Sequence, residues 1–151
     1  MYTDGFNKFK TLEELFSESS SCFSVMPEML EFAITLTQKY GLPIGHGLTR
    51  VVWNTNKGHV FKVPRCDKGS LDNSWESSIS IEQTEKYEEG YAKTKSFLVN
   101  DYLVCIAEHI TIASNSEIEK VFGKIPDWTY FIDCQQVGFD KKGFLKAYDF
   151  A

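Results

Sequence analysis

Lys62 is the residue in this chain whose surroundings most need an explanation. It stands inside His59-Val60-Phe61-Lys62-Val63-Pro64, and an ammonium among β-branched and aromatic neighbours is costly to bury without an anionic partner. Ahead of it lies Gly45-His46-Gly47-Leu48-Thr49-Arg50. Closely spaced glycines let backbone N–H groups approach a phosphate, and a nearby lysine adds the opposing charge. Cations and donors set around a polyphosphate are what phosphoryl transfer requires, because catalysis there is mostly positioning and charge stabilisation. Each residue also has a plainer reading. The lysine can snorkel out of an edge strand, and the glycines can serve a tight turn after Pro43. Arg50 stands where a third glycine would complete the loop. Its bulk would restrict the approach of phosphates, or its guanidinium would pair with one.

Composition removes several other classes. A net charge of -5 over 151 residues, with no run of lysine or arginine, leaves nothing to attract a nucleic-acid backbone. Cys22, Cys66, Cys105 and Cys134 are scattered, without a C-x-x-C pair or histidines at zinc-finger spacing. They read as buried thiols in a reducing compartment. His46, His59 and His109 have no carboxylate pair beside them, and no serine sits in a G-x-S-x-G elbow. The opening Met1-Tyr2-Thr3-Asp4 has no basic region ahead of an apolar run, and no window approaches a membrane span. A cytoplasmic protein without a membrane partner is the expectation. Trp53, Trp75 and Trp128 have apolar neighbours and are expected in the core.

The elements that must position these residues follow from periodicity. Thr11 with Glu14 makes a capping box, and Phe9, Leu12, Leu15 and Phe16 fall at helical spacing. A second helix is expected from Pro27 to Tyr40, stopped by Gly41 and Pro43. This pair either braces the sheet or, through Phe6, Phe9 and Phe16, offers an apolar patch to a partner. Thr49 to Asn54 and His59 to Pro64 read as strands joined by a turn at Asn54 to Gly58. Asp72 or Asn73 would then cap a helix carrying Trp75, Ile79 and Gln83 on one stripe, with Gly90 after it. Tyr102 to Ala107 reads as a central strand, with Glu108 at its exit. Ser116 with Glu119 caps one more helix, closed by Gly123 and Pro126. A last hairpin joins Gln136 to Phe139 with Phe144 to Tyr148.

Together, the glycine turn, the strand lysine and the terminal Tyr148-Asp149-Phe150-Ala151 resemble the nucleotide-handling parts of a protein kinase, in the order that family uses them. The likeness runs from about Gly41 to Ala151. It implies that Gly45 and Gly47 cover phosphates and that Lys62 grips them. It further implies that a glutamate of the following helix, Glu76 or else Glu82, pairs with Lys62, and that Glu108 joins the nucleotide-binding set. Asp149 would bind magnesium, with alanine in place of the glycine of the family's triplet. Asp133 would be the catalytic base and Gln136 the second metal ligand. Those two are closer together than the family spaces them, glutamine replaces asparagine, and no His-Arg pair comes first. Asp133 reads equally well as the cap of a turn.

The resemblance implies an α+β fold in a single domain, residues 1–151. A helical extension (1–41) would precede a kinase-like core (42–151) built as a twisted antiparallel sheet of the small-lobe type. One packed helix and a C-terminal hairpin would complete it, with no large helical lobe before the sequence ends at Ala151. The chain is also similar to small kinase-like proteins of tailed bacteriophages. A pseudokinase that binds a protein of the bacterial host, with ATP and Mg2+ as the implied cofactors, is the leading expectation. A minimal ATP-dependent kinase using Lys62, Glu76, Gln136, Asp149 and Asp133 is one alternative. A nucleotide-independent inhibitor of a host enzyme is the other.

Overall fold

A computed structural model describes residues 11–17, 27–83 and 90–149. Phe6, Phe9 and Cys22 lie outside them, as do the side chains of Glu82, Gln83 and Asp133.

The fold is α+β. Five strands form an antiparallel sheet in the order β1-β2-β3-β5-β4, where β1 is Gly45–His46, β2 Arg50–Asn54, β3 His59–Pro64, β4 Thr94–Val99 and β5 Tyr102–Glu108. The β2–β3 turn uses Asn56 and Gly58 at positive φ, 58° and 90°, as its sequence predicts. Strand β4 escapes the sequence reading, although Asn100 and Asp101 both take positive φ and form the tight turn that joins it to β5. Lys62 lies opposite Val52 on β2 and Cys105 on β5, so β3 is interior to the sheet and not an edge.

Strand alternation sorts the side chains to two faces. Val51, Trp53, Val63 and Val104 meet Leu15 and Phe16 of α1 (Leu12–Ser17) and Met29, Ala33 and Leu36 at and within α2 (Leu30–Tyr40). The described helices of the extension, α1 and α2, are thus part of the main core. Phe16, expected as a candidate for a partner-facing patch, is completely buried. Thr11 and Glu14 form the reciprocal capping box. At the other end of α1, Arg65 Nε donates to the Leu15 carbonyl (2.6 Å).

The opposite face carries Arg50, Val52, Val60, Lys62 and Cys105, and α3 (Asp67–Gln83) lies against it. This helix begins well before Asp72 and Asn73, which sit inside it and do not cap it. Its inner face is polar. Asp72, Asn73, Glu76, Ser77 and Ser80 are buried, whereas Leu71 and Trp75 are exposed, Trp75 at 58%. Leu71 and Trp75, which would ordinarily mark the core side, point away from the sheet, because the sheet presents two cations and the helix must answer them. Gly69 allows the close packing of its first turn: a Cβ there would run into the Thr49 carbonyl and Pro64.

A three-stranded sheet, β6 (Thr111–Ile112), β7 (Val137–Phe139) and β8 (Leu145–Ala147), follows with α4 (Asn115–Phe122). Its core is Ile118, Ile132, Val137, Leu145 and Ala147. The α4 capping box is Ser114 with Glu117, two residues ahead of the expected Ser116 and Glu119. The β7–β8 hairpin matches expectation. Backbone bonds from Ala92 N to Ala147 O and from Ala147 N to Gly90 O, 2.8 Å each, tie β8 to the chain entering β4. Those two bonds set where residues 148 and 149 fall.

Candidate functional site

Four ionised side chains meet between β2, β3, α3 and the residues after β8. Lys62 Nζ lies 2.8 Å from Glu76 Oε2, and Arg50 Nη2 lies 2.8 Å from Glu76 Oε1 and 2.5 Å from Asp149 Oδ1. Lys62 also donates to the Tyr148 carbonyl at 2.5 Å. All four are buried: Lys62 is 1% exposed, Glu76 0%, Arg50 6% and Asp149 7%. Two positive and two negative charges therefore cancel inside the fold, which is the condition for burying any of them at tolerable cost.

Asn73 is the hub that aligns the cluster. Its Nδ2 donates to the carbonyls of Lys62 (3.0 Å) and Leu103 (2.8 Å), and its Oδ1 accepts from Arg50 Nη1 (3.1 Å) and Cys105 Sγ (3.2 Å). Its place three residues before Glu76 puts both on one helix face, the signal by which it could have been found from sequence. Gln136 completes the far side: with its amide assigned so that nitrogen and oxygen both find partners, the nitrogen lies 3.2 Å from Asp149 Oδ2 and 3.1 Å from the Asp149 carbonyl oxygen.

Burial by itself would raise the Glu76 carboxyl, but the Lys62 and Arg50 charges overcome it and hold the group at about 2. Burial also dominates at Lys62, drawing its ammonium down against the pull of Glu76. The carboxylate shared by two cations decides the state of the cluster. Burial pushes the neighbouring Cys105 thiol up to about 12, so it sits in the network as a neutral group.

A carboxylate whose folded pKa is depressed stabilises the fold above its unfolded value and loses that contribution as the pH falls through the folded one. For Glu76 the window runs from 4.5 down to about 2, and the loss amounts to about 3 kcal/mol. Urea midpoints measured from pH 6 to pH 2 should fall more steeply for wild type than for Glu76→Gln. Parallel curves would show that the carboxylate is not held as described.

Gly45 is a residue of β1, paired with Val52, and does not form part of a flexible turn. The N–H of Gly47 is engaged within the turn by the Arg50 carbonyl (2.9 Å), while its own carbonyl accepts from Arg65 Nη1 (2.8 Å). Glu108 stands three residues along β5 from the partner of Lys62 and pairs with Lys146 Nζ (2.8 Å), which also reaches Asp140 Oδ2 (3.0 Å). Asp133 opens a short turn in which Cys134 and Gln135 both take positive φ, 52° and 49°. Cys134 is exposed, against the expectation of buried thiols, whereas Cys66 and Cys105 are buried.

As arranged, these residues do not fit a magnesium ion. A metal needs carboxylate lone pairs directed at it, and Asp149 Oδ1 already accepts from the Arg50 guanidinium, while the Gln136 amide, turned so that both groups are satisfied, donates to Oδ2. Among the described residues, no three His, Cys, Asp or Glu side chains come together in a group that could hold a metal. Nor is any helix among them long and apolar enough to cross a membrane. No protein-family model and no curated protein matches the sequence.

Proposed function

We propose that this chain is a kinase-like protein of the pseudokinase type, which acts by binding a protein partner and does not transfer phosphate. One observation carries the reading. A strand lysine, the glutamate of the next helix and an aspartate after a short hairpin converge in one buried network, and these are the parts with which kinases grip phosphates and metal. Two further features favour it. The helix packs on the sheet face that carries the lysine, and the hairpin delivers Asp149 to the same place. The lack of transfer follows from the charges. Arg50 already neutralises Asp149, the carboxylate this reading assigns to the metal, whereas the Lys62–Glu76 pair is one that active kinases also keep.

Incubation with γ-labelled ATP and Mg2+ tests the reading. No label should pass to the protein itself or to proteins of a bacterial lysate above the level seen with Lys62→Ala. Transfer by wild type that Asp149→Ala abolishes would replace the pseudokinase with a minimal kinase.

A further inference from the structure

Of the two groups that face the Asp149 carboxylate, Arg50 and Gln136, only Arg50 brings a charge that competes with a metal. Its guanidinium bridges Glu76 and Asp149, two carboxylates that belong to different parts of the fold and are 73 residues apart in sequence. It is held there by a third contact, to Asn73. A planar cation with several N–H donors suits such bridging in a way that a lysine does not. The same side chain leaves β2 directly after the Gly47 to Thr49 turn, whose Gly47 N–H is bonded to the Arg50 carbonyl. The turn, the helix and the segment after β8 are therefore fastened to one another through one residue.

We propose that Arg50 is a built-in latch. It takes the place that external cations would occupy between Glu76 and Asp149 and keeps the site closed to a magnesium–nucleotide complex. The inference rests on the kinase-like reading above and deepens it, since it names the residue that shuts the site. With Arg50 in place, an incoming polyphosphate gains one attractive contact only by breaking two ion pairs and exposing both carboxylates to its own negative charge. Without it, Asp149 and one oxygen of Glu76 lose their cation while Lys62 stays anchored to Glu76. A divalent ion with its phosphates then has both anionic and cationic groups to meet.

The test is thermal unfolding of wild type, Arg50→Gln, Arg50→Ala and Arg50→Gln/Lys62→Met with millimolar Mg2+ alone and with Mg2+ plus ATP. Folding of each variant is checked first by circular dichroism. A ligand that binds only the folded state raises the melting temperature. Wild type should show no shift with Mg-ATP, whereas the Arg50 variants should be stabilised and bind it at least about tenfold more tightly. Adding Lys62→Met should remove the gain. Arg50→Gln removes the charge but keeps the aliphatic stem and an N–H donor, so it remains informative if Arg50→Ala fails to fold. A shift of wild type as large as that of the variants would overturn the latch and leave the kinase-like site standing. No shift in any folded Arg50 variant would overturn both. If neither Arg50 variant folds, stabilisation of wild type by Mg-ATP overturns the latch by itself.

Discussion

Glu76→Ala should destabilise the protein by about 3–5 kcal/mol, because it removes the one carboxylate shared by two buried cations. Most of that loss is the penalty of leaving Lys62 with only the Tyr148 carbonyl and Arg50 with only Asp149 and Asn73. For a chain of this length, each kcal/mol moves the melting temperature by roughly 2–4 °C, so the change should be plain in a thermal scan. Lys68→Ala provides the contrast. Its pair with Asp72 is half-exposed at the lysine, and such surface pairs contribute about 0–1 kcal/mol. If the two substitutions cost the same, the cluster is not a buried network of mutually dependent charges.

Phe16→Ala should cost a similar amount, about 3–5 kcal/mol, through lost burial and the cavity left behind. The physical reason is position. Phe16 is completely buried in the cluster that joins α1 and α2 to Val51, Trp53 and Val63 of the sheet, so its ring is a structural member of the main core. Chemical denaturation of the variant measures this directly. Were α1 an arm that docks on a partner and leaves the sheet intact, the change would stay within about 0.5 kcal/mol, as for ordinary surface substitutions.

Local chemistry was legible in the chain. The Thr11–Glu14 box, the turn at Asn56 and Gly58, the β2–β3 hairpin and the β7–β8 hairpin each depend on a few neighbouring residues, and each forms where its residues predict. The need of Lys62 for an anion was legible too, since it follows from burying a charge in an apolar strand. The elements that went astray are those whose local signals were weak or displaced. Strand β4 has only the Asn100-Asp101 turn to announce it, and α4 starts at the nearer of two serine–glutamate pairs.

What the sequence determined by itself, then, is the two hairpins, the α1 capping box and the demand that Lys62 be paired. Only the tertiary structure decided which groups met that demand and which face of α3 turned inward. Periodicity assigns the apolar stripe of a helix to the core, yet α3 buries Asn73, Glu76 and Ser80 and exposes Trp75, because the sheet opposite it carries Arg50 and Lys62. Arg50 reaches Asp149 across a separation of 99 residues, and no local rule relates two positions so far apart. That contact exists because the β8 backbone is tied beside Gly90 and Ala92, and it makes a buried charge balance a property of the fold as a whole.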